Sequence, residues 1–417
     1  MVELLAPAGN FTSLSAALKN GADSIYIGLK NKFNMRVNAG NFTLDEVQKA
    51  VKLVKQYNSK LYVCINTILS DNDIYNIKKI LPVLKSHGVD GIILSDLGLI
   101  QSVIDNNMEA HISVQENTTN IETLKVFKSL GVKRAILSRE LNLKEVKNIA
   151  KNSPIETEIF IHGAMCMAIS GRCFLSASLY NRSANCGDCL QPCRKEWKME
   201  YLGNKNSQVE NNTECEDETF IITESYDDSY YTNFFSPKDL CLIEHIPEIM
   251  ESGVDSFKIE GRGRSPDYVA TATKIYRQAI NKYNTGNYKY NPQWMDELNK
   301  VFNRGFDTGF YFNTPYLKSE DNQSQYIKKD IGQVVNYYNK INVAELKIWD
   351  DLKLGDEIMI QGPTTGSITH KIESMQIDKK PIKTAKKGSN IAIKINTKLR
   401  ESDHIYKLLK RGKTWKK

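Results

Sequence analysis

Residues 60–96 read KLYVCINTILSDNDIYNIKKILPVLKSHGVDGIILSD, and they contain one full repeat of the pattern that decides the fold. An apolar run rich in β-branched residues, KLYVCINT (60–67), ends in polar residues; a helical stretch over Ile74–His87 follows; a second apolar run, GIILSD (91–96), again ends polar. Such short runs read as buried strands and the 3.6-residue periodicity between them as an amphipathic helix. Outward from this segment the unit recurs. The runs are ELLAPA (3–8), SIYIGL (24–29), AHISVQ (110–115), RAILSR (134–139), ETEIFIHG (156–163) and SFKIEGR (256–262). Helical stretches cover Thr43–Gln56, Asn120–Leu130, Leu143–Lys151 and Pro266–Lys282. Eight strand–helix units in about 285 residues match an α/β fold, a (β/α)8 TIM-like barrel, in count and length. A doubly wound open sheet is the alternative, because periodicity does not reveal closure.

In a barrel the C-terminal strand ends form the face where chemistry occurs. Polar residues stand there: Asn66, Ser95, Gln115, Ser138, His162 and Glu260. Lys258 and Glu260 alternate with apolar residues on the eighth run and are expected to point into the opening, while Arg36 and Asn38 follow the second run. From about Gly332 the pattern becomes short alternating runs such as GQVVNYYN, VAELKIWD and DEIMIQG, which predict a C-terminal small all-β barrel. The expected organisation is a barrel over 1–312 with an insertion at about 164–236, a linker over 313–330, the β-barrel over 331–410 and a basic tail over 411–417.

Residues 365–417 hold fifteen Lys/Arg and four Asp/Glu, +11 of a net charge of +7, so the remainder is −4. That end of the chain suits a polyanion such as RNA, and 407-KLLKRGKTWKK-417 adds Trp415 for stacking. An acidic excursion, 210-ENNTECEDETFIITESYDD-228, is expected to be exposed. No secretion signal and no apolar run of membrane-spanning length are read, so the expected location is the cytoplasm, without a membrane partner.

The insertion after the seventh strand opens with 158-EIFIHGAMCMAISGRCFLSASLYNRSANCGDCLQPCR-194, which carries five of eight cysteines. About 75 residues pass before a helix expected at Lys238–Ser252, with EWKMEYL and TFIITE as hairpin strands between. Without a secretion context, clustered cysteines fit metal-ligating thiolates better than disulfides. Cys166 and Cys173 have six residues between them, and Cys186, Cys189 and Cys193 run C-x2-C-x3-C, the reverse of the radical-SAM order. Spacing alone leaves an iron–sulfur cluster, a zinc site and buried or redox thiols open. Cys64 and Cys241 read as packing residues, and Cys215 as a thiol of the acidic excursion for which a spare-ligand role is the lesser alternative. The chain has no G-x-S-x-G and no H-E-x-x-H.

The segment EIFIHGAMCMAISGRCFLS resembles the signature of the collagenase-like peptidase family, E-x-F-x-x-G-[SA]-aliphatic-C-x4-G-x-C-x-aliphatic-S, at every position. LLAPAGN, ADSIYIGLK, NAGNFT, ISVQ, GDCLQPCR, SPKDLC and SFKIEGRGRSPDYV extend the similarity along the chain. The most similar members are those of tRNA 5-hydroxyuridine synthesis; others serve ribosomal RNA hydroxylation and anaerobic ubiquinone synthesis. The resemblance implies oxygen-independent hydroxylation of a tRNA (or rRNA) nucleobase, prephenate as hydroxyl source, and a 4Fe–4S cluster. Its four ligands map onto Cys166, Cys173, Cys189 and Cys193, with Cys186 extra. Lys258, Glu260 and His162 are the catalytic candidates. Arg36, Asn38, Asn66, Gln115, Arg172, Arg194, Arg262 and Arg264 are the candidates for binding a small dicarboxylate co-substrate or an RNA backbone. Two other functions are weighed: a peptidase with a cysteine nucleophile, and a non-catalytic RNA-binding or assembly factor with a structural metal.

Overall fold

The computed structural model describes residues 2–30, 33–204, 218–224, 233–315, 319 and 321–412. All eight apolar runs are strands. They are β1 (Glu3–Pro7), β2 (Ser24–Gly28), β3 (Lys60–Ile65), β4 (Gly91–Leu94), β5 (Glu109–Ile112), β6 (Arg134–Ile136) and β7 (Glu156–Gly163). After the hairpin β8 (Trp197–Asn204) and β9 (Glu218–Glu224) and the short β10 (Asp239–Cys241) comes β11 (Ser256–Ile259). Strands β1 to β7 pair in parallel in chain order, and β11 pairs with both β7 and β1. Lys258 sits opposite Leu5 on one side and Phe160 on the other. The sheet is closed, and the open-sheet alternative is excluded.

Alternation along each strand sends one row under the helices and one row inside. Leu61, Val63 and Ile65 of β3 and Ile92 and Leu94 of β4 are fully enclosed outward residues, each stabilising the fold by about 1.5–3 kcal/mol. The helices over them start with reciprocal caps, Thr43 with Glu46, Ser70 with Asp73 and Asn142 with Glu145, which satisfy otherwise unpaired N–H groups. The inward rows depart from the aliphatic layers usual in such barrels. Arg134 on β6 binds Glu3 at 2.8 Å, Glu156 at 2.8 Å and Glu158 at 3.2 Å. Lys258 Nζ binds the other oxygen of Glu158 at 3.0 Å. The barrel floor is an ion network.

The stretch expected as one helix over Lys238–Ser252 is different. Asp239–Cys241 forms β10, antiparallel to the end of β7, and only Ile246–Met250 is α-helical. Leu240 and Cys241 continue the hydrogen bonding of Gly163 and His162, and Pro247, which has no N–H, is tolerated only in a first helical turn.

The C-terminal region is an eight-stranded antiparallel sheet from Tyr326–Tyr338 to His404–Lys410, packed around its own core of Ile331, Leu346, Ile360, Ile393 and Ile405; among the described residues its end strands, Gly366–Lys371 and Lys380–Pro381, do not pair with each other, so the barrel expected here is not closed by strand pairing. Its first strand begins inside the stretch expected as linker, 313–330. It rests on the barrel's side through Lys19 Nζ to Thr365 O at 3.1 Å and Gln361 Nε2 to Asp267 Oδ1 at 3.1 Å. Among the described residues no helix is long and apolar enough to cross a membrane.

Candidate active site at the barrel mouth

Two abutting cavities occupy the C-terminal mouth. The inner one, open to solvent, is floored by Tyr26, Cys64, Ile93 and Phe160 and walled by Arg36, Arg139, Lys258, Glu260 and Arg262, with Cys166 at its rim. The outer one, about 320 Å³, shares Met35, Asn66, Gln115 and Gly171 with it and adds Ile68, Ser95, Glu116, Arg172, Phe174 and Asn185.

In the inner cavity Arg36 Nε and Nη2 both donate to Glu260 Oε1, at 3.2 and 3.0 Å. Burial alone would raise the Glu260 carboxyl, but Arg36, Arg264 and Arg139 outweigh it and hold the group at about 2. Lys258 lies 4.5 Å from the Tyr26 ring centre and answers Glu158 below it. Arg262 Nη1 donates to Asn34 Oδ1 at 3.1 Å, and Arg139 Nη1 donates to Ala164 O at 2.7 Å while stacking 4.0 Å over Phe160. Arg139 Nε is buried without a partner among the described residues. Four cations against Glu260 and Glu158 leave two positive charges in surplus, the electrostatics of an anion site.

The long excursion after β7 closes over this cavity at two glycines. Gly171 has φ +77°, and a Cβ there would meet Gln115 Cγ and Met35 Cε; Gly187 has φ +81°, and a Cβ there would strike the Asn34 carbonyl. Any larger residue would lift the excursion off the mouth. The excursion's thiols gather in one neighbourhood. Burial raises Cys193 to about 11 and raises Cys189, and Cys166 and Cys173 act electrostatically on both. Cys186 is exposed and is not among the strongest influences on either. The Gln191 N–H donates to Cys189 Sγ at 3.3 Å, the kind of contact that stabilises a metal-bound thiolate. The donor set therefore suits a thiolate-ligated group, although among the described residues no three His, Cys, Asp or Glu side chains close into a ligand sphere.

Several sequence candidates stand elsewhere. His162 lines neither cavity: it is 1% exposed, boxed by Tyr268, Tyr276 and Phe306, and burial holds it at about 3, hence neutral. The catalytic expectation for His162 is corrected on that ground. Arg194 is a staple, donating to Ser236 Oγ at 3.0 Å and to the carbonyls of Pro237 and Met165. Arg264 packs 3.8 Å over Phe302 and lies 4.0 Å from Asp239. Asn38 binds Asp188 of the excursion at 3.2 Å, on the exposed rim. Cys241, expected in a helix, is a buried strand residue. Lys258, Glu260, Arg36, Arg262, Asn66, Gln115 and Arg172 do line the cavities. Arg139 was not foreseen; it closes the sixth apolar run, the position that strand-end reasoning favours.

At the basic end, His404–Lys410 is a strand and Arg411 is pinned to the carbonyl of Asn322; residues 413–417 of the expected basic tail lie outside the described residues. Trp415, Cys215 and most of the acidic excursion lie outside the described residues.

Fold and mouth together define an α/β-barrel protein with its site at the strand C-termini, roofed by a thiol-bearing excursion. The family model described as peptidase family U32 matches residues 9–321, and the chain belongs to that family. A Methanocaldococcus jannaschii protein described as an uncharacterized protease is 46% identical, over 98% of both chains. A Porphyromonas gingivalis collagenase is 35% identical over 98% of both. The tRNA hydroxylation protein P1 of Bacillus subtilis is 35% identical over 89% of this chain and 86% of its own.

Proposed function

We propose that this chain is a tRNA-modifying enzyme that adds a hydroxyl group to a nucleobase without oxygen, the wobble uridine giving 5-hydroxyuridine. The observation that carries the reading is the gathering of Cys166, Cys173, Cys189 and Cys193 over a cavity with surplus positive charge. Those four thiols would hold a 4Fe–4S cluster, which supplies electron transfer or polarisation of a bound oxygen donor. The chain's own residues do the rest. Arg139, Arg262, Arg36 and Lys258 bind and orient a small dicarboxylate, for which prephenate is the candidate hydroxyl source. Phe160 and Tyr26 wall it from water. The basic C-terminal sheet, with Lys371, Lys380, Lys394 and Lys398 exposed, would hold the tRNA backbone. The relatives named as tRNA hydroxylation proteins support this reading.

The names collagenase and protease among the relatives favour a peptidase instead. A cysteine nucleophile needs an imidazole within hydrogen-bond reach, and His162, the nearest histidine in sequence to Cys166, is shut among aromatic rings. Digests of tRNA from a deletion strain should lack 5-hydroxyuridine-derived nucleosides, with the intact gene restoring them and Cys173→Ser failing to. Unchanged nucleosides in the deletion strain would refute the reading.

A further inference from the structure

We propose that the outer cavity is a pocket for an unstacked uracil of RNA, with Phe174 as its stacking face and Gln115, Asn185 and Glu116 reading the base edge. As the place where a modified base would sit, it rests on the hydroxylase reading; as a binding site it stands apart from it.

Phe174 opens the short helix Leu175–Tyr180 and is 74% exposed, and Ile68 across the same cavity is 66% exposed. Apolar side chains held this far out at a concave entrance mark a surface that is covered in use. The wall behind them is polar and oriented. Asn185 is only 8% exposed; its Oδ1 accepts from the Cys173 N–H at 3.0 Å and its carbonyl accepts from Ile68 N at 3.1 Å, which fixes the amide. Among the described residues Asn185 Nδ2 has no acceptor. Gln115 Oε1 is likewise taken, by Asn66 Nδ2 at 3.0 Å and by the Ser113 hydroxyl, and Gln115 Nε2 has no acceptor among the described residues. The Glu116 carboxylate lies in the same wall.

Two amide donors and one carboxylate answer what a uracil presents, two carbonyl oxygens and one N3–H. Cytosine replaces one carbonyl with an amine and turns an N3 lone pair toward the carboxylate. A site with committed donors and acceptors discriminates against the analogue that leaves them unpaired. A base inside a duplex cannot reach such a wall, so the occupant is extruded or in a loop. The shared boundary at Met35, Asn66, Gln115 and Gly171 brings that base to the edge of the cationic cavity and the Cys166 rim. Arg172, 61% exposed, lines the same cavity with its Nη2 3.9 Å from the Glu116 carboxylate, where it holds that group ionised beside the base and leaves its other nitrogens for a phosphate.

The test uses the full chain, purified without oxygen, and three short RNA hairpins that differ in one loop nucleotide: uridine, cytidine or abasic. The parent should bind the uridine hairpin tightest and the abasic one weakest. Phe174→Ala should weaken the uridine hairpin about 5- to 150-fold while leaving abasic binding unchanged. Tyr75→Ala, which removes an exposed ring from the helix Asp71–Ser86, should change neither. Iron content of each variant shows whether the thiol region is intact, and Phe174→Trp retains an aromatic face, so the fluorescence it adds over that of the parent's four tryptophans should be quenched by the uridine hairpin and not by the abasic one. Parent-like uridine binding by Phe174→Ala, or abasic binding equal to uridine binding, would overturn the pocket. So would quenching of the Phe174→Trp protein by a gelatin peptide and not by RNA. A chain that binds uridine through Phe174 yet modifies no RNA keeps this pocket and loses the hydroxylase reading.

Discussion

Glu158 is the most enclosed charge in the barrel, and replacing it with glutamine tests whether the floor network holds Lys258 in the cavity. Its two oxygens are 3.0 Å from Lys258 Nζ and 3.2 Å from Arg134 Nη1, and none of the three side chains is more than 4% exposed. At an effective dielectric of about 20, each contact at that distance carries roughly 5 kcal/mol of Coulomb attraction before the cost of burying the charges. Removing one partner of such a pair typically leaves a net loss of about 3–5 kcal/mol, because the remaining charge is stranded. Glu158→Gln should therefore cost about 3–5 kcal/mol. Lys258→Met should cost less, because Glu158 keeps Arg134, which Glu3 and Glu156 also hold. The double replacement Glu158→Leu with Lys258→Met should recover most of the loss, since the one cation left has two other carboxylates. Equilibrium urea unfolding at pH 7, followed by far-UV circular dichroism, gives the three values. Glu158→Gln within about 1 kcal/mol of the parent, the range of an exposed pair, would refute the reasoning. A double variant weaker than both single ones would refute it equally.

Two further outcomes follow from the same geometry. Burial keeps the His162 imidazole at about 3, well below its ordinary value, so the unfolded chain takes up its proton first. Stability present at pH 7.5 is then lost as the pH falls through 6.5, by about 1.4 kcal/mol at pH 5.5. His162→Phe should remove that limb from urea midpoints measured at the two pH values, and a limb that persists would place its origin elsewhere. Arg139→Met should weaken binding of a small dicarboxylate about 10- to 100-fold by titration calorimetry, the worth of a charge-assisted hydrogen bond; an unchanged Kd would remove Arg139 from the site.

The barrel was legible because the strands' outward rows are largely apolar and the helices that start at Phe11, Leu44, Asp71, Ile121 and Leu143 begin with their own side-chain caps; neither signal depends on distant residues. What the periodicity could not carry was set by contacts across the chain. Cys241 sits in DLCLIEHI, whose apolar spacing reads as a helix, but pairing with His162 on β7 draws it into a strand. His404–Lys410 was expected within the β-region, but periodicity could not give its partners, Tyr326–Tyr338 and Glu357–Gly362. At the site, strand-end position identified Asn66, Gln115, Lys258 and Glu260, whose side chains follow the barrel's alternation. The same rule misplaced His162, because the register of β7 against β11 shifts between Lys258 and Ile259, and the imidazole packs against the helix Pro266–Asn284 instead. Arg194 and Arg264 were chosen for charge alone, and charge does not tell a staple from a ligand.

That alternation also fixes where an anion would dock. On β7, Glu158 and Phe160 are successive inward residues, as are Lys258 on β11 and Glu260 just past its end; Lys258 lies opposite Phe160. Lys258 thus stands between floor and cavity with its charge answered from below by Glu158. One layer higher, Glu260 is answered by Arg36. The other two cations in the wall have neutral hydrogen-bond partners, the Ala164 carbonyl for Arg139 and the Asn34 amide oxygen for Arg262. The surplus charge of the cavity is therefore concentrated on Arg139 and Arg262, which follow β6 and β11, the two strands that flank β7. Two guanidinium groups without a carboxylate of their own suit two carboxylates better than a single one. A monocarboxylate of the same carbon skeleton would leave one guanidinium unanswered, which is why binding by a dicarboxylate, and its dependence on Arg139, is the outcome that distinguishes this cavity from a generic basic cleft.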